Sequence, residues 1–180
     1  MLQPKRILLA ALGWALLSAT ATPAQTNTPS YVAAEYHPGY GRTYAWRATV
    51  SSSGRVKQEV KTEQGMFAPD QWAERVVSPL RREQVHALFE ALASVEFCTL
   101  DARYSPVYRV GDVITDLATL VLEVSVEGRR CRVEVYGGDE ITRVDGHPKK
   151  VDARRFCAAW GQFLAVVPAP NRWQTAGTCA

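Results

Sequence analysis

The chain has 180 residues, 47% apolar and 22% charged, with 21 basic and 18 acidic side chains and a formal net charge of +3. That length suffices for one buried core. The near-balance of charge excludes the strong basic excess that a nucleic-acid partner requires.

Lys5 and Arg6 precede an apolar run, Ile7 to Ala19. The run has the length of a signal-peptide core and is too short for a comfortable membrane span. Small residues at Ala19-Thr20-Ala21 and Thr22-Pro23-Ala24 offer cleavage sites, and the cut after Ala24 is preferred. The expectation is a signal peptide over 1–24, then an exported chain of roughly 155 residues, periplasmic or secreted, with no membrane span after cleavage. Loss of Lys5 and Arg6 lowers the formal charge from +3 to +1.

Residues 25–41 hold Pro29, Pro38, Gly39 and Gly41 with little periodicity and read as an extended lead-in. Tyr44, Trp46, Ala48 and Val50 then alternate with polar or small residues, the period-two pattern of a strand. A turn at Gly54 leads to a more polar strand from Val56 to about Glu63, which suits a position near a sheet edge. A weak third strand runs from Trp72 to Val77. Ser78-Pro79 reads as a helix start, with Ser as cap and Pro at the first helical position. Val85, Leu88, Phe89 and Leu92 give the apolar stripe of a helix over about 80–95. Residues 99–114 read as a long loop carrying Tyr104 and Tyr108.

Leu117 to Val126, Glu127-Gly128 and the strand that follows read as a hairpin with a two-residue turn. That turn pairs Val126 with Arg129, Val124 with Cys131, Leu122 with Val133 and Leu120 with Val135, making one apolar face. Glu123 opposite Arg132 and Ser125 opposite Arg130 make the other face. Cys131 is therefore expected to point into the core. A last helix, Val151 to Val166, turns Phe156, Cys157, Trp160, Phe163 and Leu164 to one side. The expected fold is α+β: an antiparallel sheet of four or five strands with two helices packed on one face, a single domain over 42–167. A tail, 168–180, is expected to be tied back by a disulfide.

Cys98, Cys131, Cys157 and Cys179 are even in number, and no two lie within twenty residues of each other, so neither a C-x-x-C redox motif nor a zinc pattern is present. Two structural disulfides are expected. Four cysteines allow three pairings, which the sequence does not separate. Geometry favours Cys98–Cys131 with Cys157–Cys179, because a sheet-to-helix gap is wide for Cys131–Cys157.

GYGRTYAW at 39–46, SSGRV at 52–56, EFCTL at 96–100, TDLAT at 115–119 and VYGG at 135–138 occur in an order that resembles a bacterial domain-of-unknown-function family of small exported proteins. Members of that family carry a C-[YF]-G-x-C-P-x-Y segment, a T-D-x-x-T segment and a hairpin ending in Tyr-Gly. Here Gly39 and Thr43 stand where the two family cysteines would fall, and Tyr44 stands for the proline. The resemblance spans about residues 36–166 and implies a fold and an exported setting, with no activity and no redox role for the first segment.

No catalytic constellation, cofactor fingerprint or metal motif is recognisable, so no cofactor is expected. His37, His86 and His147 read as solvated or boundary histidines. Asp112 and Asp116 are the carboxylates to weigh as an acid–base pair against turn or cap roles, and Tyr104 and Tyr108 are candidate recognition residues. The leading expectation is a non-enzymatic module that binds an envelope protein or a small ligand. The alternatives are a hydrolase using Asp112 and Asp116 with a histidine, and an inhibitor of a secreted enzyme presenting the 99–114 loop.

Overall fold

The computed structural model describes residues 30–39, 45–62, 71–106, 117–143 and 146–167. Seven strands are present among them: β1 (Tyr31–His37), β2 (Trp46–Ser51), β3 (Val56–Thr62), β4 (Gln71–Arg75), β5 (Arg103–Tyr104), β6 (Thr119–Val126) and β7 (Arg129–Tyr136). They form one sheet in the order β4-β3-β2-β1-β6-β7-β5. All neighbours are antiparallel except β5, which runs parallel to β7. The helices are α1 (Arg82–Ser94), α2 (Gly138–Arg143) and α3 (Lys150–Val166).

The α+β class stands, but a four- or five-stranded antiparallel sheet with two helices does not. The sheet has seven strands and is mixed, and α2 is a third helix. One added strand, β1, falls within the stretch read as a lead-in. Its residues alternate between half-buried and buried, with Val32, Ala34 and Tyr36 inward, and it sits mid-sheet between β2 and β6. The other, β5, is two residues long, below the length at which any periodicity is visible.

The β6–β7 hairpin has the register that its turn dictates: Val126↔Arg129, Val124↔Cys131, Leu122↔Val133 and Glu123↔Arg132. Glu127 and Gly128 have φ of 51° and 79°, the left-handed pair that a two-residue turn needs to follow the strand twist.

The inward face of the sheet and both long helices share one core. Val85, Leu88 and Leu92 of α1 and Phe156, Trp160 and Phe163 of α3 are buried in it. A ladder of rings runs from sheet to helix: Tyr36–Trp46 at 6.2 Å, Trp46–Trp160 at 5.7 Å and Trp160–Phe156 at 6.2 Å between centroids. The indole N–H groups of Trp46 and Trp160 have no hydrogen-bond partner among the described residues, and contact between the rings holds the ladder.

α1 starts later than Ser78-Pro79 would suggest. Its cap is Arg81, whose backbone N–H donates to Gln84 Oε1 at 3.0 Å. Leu80 just before it is held in extended chain by its N–H bond to the Gly54 carbonyl at 2.8 Å. At the other end Glu96 adopts φ 48°. Arg155 of α3 caps that end through the carbonyl oxygens of Val95 and Glu96 and through Thr99 Oγ1.

Candidate functional site

Cys98 lies in a 3-10 turn (Phe97–Thr99) directly after α1 and is bonded to Cys131 on β7, with Cα atoms 5.3 Å apart. Cys131 packs against the core, as the hairpin register requires. The bond fastens the end of α1 to the sheet. Cys157 is also disulfide-bonded, and its expected partner, Cys179, lies outside the described residues. No free cysteine is present among the described residues.

Beside the Cys98–Cys131 bond, α1, the 3-10 turn and the hairpin diverge and leave a groove of about 450 Å³. Its walls are Phe89 and Leu92 from α1, Phe97 and Cys98 from the turn, and Val124 and Val126 from β6. Val126 is 38% exposed, one of few large apolar side chains so placed. Glu96, Glu127 and Arg129 stand at the lip. Glu96 is paired with Arg155 at 3.3 Å. Glu127 and Arg129, on either side of the turn's glycine, make no side-chain hydrogen bond or ion pair among the described residues. Both non-glycine residues with positive φ among the described residues, Glu96 and Glu127, thus stand at this lip. The groove is an apolar slot with a polar rim, in the size range of small-molecule sites.

The opposite face of the sheet is polar and carries a carboxylate network joined through Arg132, which lies 3.3 Å from Glu35 and 3.6 Å from Glu123. Glu35 lies 3.2 Å from His37 Nε2 and 3.3 Å from Arg132 Nη1. The hydrogen bond from His37, resisted by burial and helped by Arg132, holds the Glu35 carboxyl down at about 2. Glu123 accepts from Tyr31 Oη at 2.5 Å and from Arg130 at 2.7 Å. Burial pushes Glu123 upward, but the bonds from Arg130 and Tyr31 outweigh it and keep the carboxyl below its usual range. The bond to Glu123, then burial, raises the Tyr31 phenol. General-acid chemistry near neutrality needs a carboxyl pushed up. Both of these are pulled down, so the network is a salt-bridged lattice that braces β1 against β6 and β7.

Tyr104, a candidate recognition residue, lies on β5 with its ring buried in the core. Its hydroxyl accepts the Asp101 N–H at 2.7 Å, and burial chiefly raises its phenol. Asp112, Asp116 and Tyr108 lie outside the described residues, and with them the hydrolase reading and the second half of the 99–114 loop. The histidines stand on separate elements. His37 ends β1, and His86 pairs with Glu90 at 3.2 Å on the surface of α1. His147 is buried before α3, its Nδ1 accepting the Lys149 N–H at 3.1 Å. Among the described residues no three His, Cys, Asp or Glu side chains gather as a metal site, and no helix is long and apolar enough to cross a membrane.

The groove escapes sequence reading because its walls come from three segments. One local signal was available: Val126, apolar, occupies the solvent end of a hairpin whose other inward residues belong to the core. No protein-family model matches the chain, and no curated protein matches it.

Proposed function

We propose that the protein is a non-enzymatic binding module of the periplasm or cell envelope, and that it receives an apolar group of its ligand in the groove beside Cys98–Cys131. The observation that carries the reading is the groove itself: Phe89, Leu92, Phe97, Val124 and Val126 around about 450 Å³, with Glu127 and Arg129 at the mouth. Pockets that take small amphiphilic ligands or a single anchoring side chain have this size and this division of apolar wall and polar rim. A disulfide and the Arg155 cap preset the walls, which lowers the ordering cost of binding.

An exported setting is supported by the oxidised Cys98–Cys131 pair and by the basic, then apolar, first nineteen residues. The resemblance to small exported bacterial proteins points the same way.

The test is titration of the mature protein with N-phenyl-naphthylamine, whose fluorescence rises in apolar surroundings, with medium-chain amphiphiles as competitors. The reading expects saturable binding that Val126→Asp and Phe89→Asp each weaken at least about tenfold, a loss of about 1.4 kcal/mol, with unchanged circular dichroism. Binding that ignores both substitutions, or no saturable binding, overturns it.

A further inference from the structure

The far end of the sheet carries a second surface, independent of the groove. Four strand spacings separate β4 from β6, roughly 19 Å. β4 is the terminal strand on its side of the order, and Gln71, Ala73, Glu74 and Arg75 are all exposed. Val76, just past its end, is fully exposed. Sheet edges are normally blunted by charged side chains, lysine above all, by proline, by a bulge or by a covering element, and here Glu74 and Arg75 are the charged side chains. QWAER contains neither lysine nor proline, and its register with β3 runs unbroken from Gln58↔Arg75 to Thr62↔Gln71.

Glu74 stands directly opposite Glu59 of β3, an unfavourable pairing of like charges. Glu59 is compensated by Arg47 at 2.7 Å and Lys57 at 3.2 Å. Glu74 makes no ion pair among the described residues. Arg47 meanwhile bonds Glu59 through Nε and lays its guanidinium 4.6 Å from the centre of the Trp72 ring, one residue pair further along the edge. Its Nη groups remain available.

Two copies joined by antiparallel edge strands are related by a two-fold axis perpendicular to the sheet, which keeps polar face beside polar face. Some residue of the strand must then face its own copy. Centring on Glu74 or Arg75 sets like charges against each other. Centring on Trp72 carries Glu74 beyond the end of the partner's strand. Centring on Ala73 pairs all five residues and puts Glu74 opposite Trp72 of the partner subunit. There it meets the arginine that lies over that ring.

We infer that β4 is a homodimerisation edge: two copies pair antiparallel about Ala73, and Glu74 of each chain is neutralised by the partner's Arg47 above the partner's Trp72. The two sheets become one, and the Glu74–Arg47 contact is made twice. Five residues make a small interface, so the dimer is weak, concentration-dependent and loosened by salt.

Single-cysteine crosslinking of the full mature chain tests this, because Cys98, Cys131 and Cys157 are all disulfide-bonded and do not compete with an introduced thiol. Opposed residues in an antiparallel pair have Cα atoms about 4.5–5.5 Å apart, within disulfide reach. Ala73→Cys is expected to give a covalent dimer under mild oxidation. Trp72→Cys and Glu74→Cys are each expected to fail alone and to crosslink when mixed. Sedimentation velocity of the native chain is expected to show a reversible dimer whose dissociation constant rises at least about tenfold in Glu74→Arg. Equal crosslinking at all three positions, dimerisation indifferent to Glu74→Arg, or a monomer at about 1 mM overturns the inference. Probe binding in the groove should survive in monomeric variants, so the two proposals fail separately.

Discussion

Arg155 on α3 donates through Nε to the carbonyl oxygen of Val95, 2.9 Å away and sixty residues earlier in the chain. Its Nη2 reaches the Glu96 carbonyl at 3.1 Å and Thr99 Oγ1 at 2.8 Å. One side chain thus caps the Val95 carbonyl, adds to the Thr99 bonds on the Glu96 carbonyl, and ties down the turn that presents Cys98. Arg155→Met keeps the aliphatic stem and removes every donor. The expected loss is about 2–3 kcal/mol in urea unfolding, with weaker probe binding in the groove. Arg155→Lys should recover only part of both, since an ammonium cannot span three acceptors as the planar fork does.

The Cys98–Cys131 bond closes a loop over a separation of 33 residues. Restriction of the unfolded chain by a loop of that length amounts to about 3–4 kcal/mol. Cys98→Ala/Cys131→Ala should lose about that much in equilibrium unfolding, and the groove should lose probe affinity beyond what either wall substitution costs.

Glu35 sets an acid dependence. Its folded-state carboxyl, at about 2, lies below the ordinary value of 4.5, so its pairing with His37 and Arg132 stabilises the fold fully above about 4.5. The contribution is lost as pH falls from about 4.5 through about 2. In a series of melting curves, Glu35→Gln should lower the midpoint near neutral pH and flatten the slope between pH 4.5 and 2 relative to the native chain.

Two glycines separate backbone strain from steric collision. Gly128 has φ 79° and open space where a side chain would go, whereas Gly54 has φ 84° and would place a Cβ 2.5 Å from the Leu80 carbonyl oxygen. Gly128→Ala should cost about 1 kcal/mol, the strain of the left-handed region alone. Gly54→Ala should cost distinctly more, because the Leu80 carbonyl is backbone and its segment is anchored to Gly54 itself. Thermal unfolding of the two variants gives the order directly.

The hairpin was legible to the residue because its turn and its alternation agree: once Glu127-Gly128 is a two-residue loop, every cross-strand pair follows, including Glu123↔Arg132. The inward stripe of α3 was legible for the same reason, periodicity over seventeen residues. β1 was not assigned to the sheet, since its neighbours Pro38 and Gly39 and its short alternation resemble connecting chain. Its mid-sheet place needs a partner on each edge, β2 nearby and β6 some ninety residues on. The capping of α1 was misplaced because Gln84 and the Gly54 carbonyl, which decide it, are not visible in Ser78-Pro79. The groove stayed hidden because no single segment contains enough of its wall.

β1 comes first among the described strands yet lies mid-sheet, one edge taken by β2 and the other by β6, with Tyr31 opposite Ser125. A chain released N-terminus first can zip β1 to β4 from near neighbours, but the second edge of β1 has to wait until β6 emerges. During that interval Val32, Ala34 and Tyr36 line an open, adhesive margin. The seam between β1 and β6 has the widest sequence separation of any strand pairing among the described residues, and non-local pairings of that kind slow folding and leave an edge open while they wait.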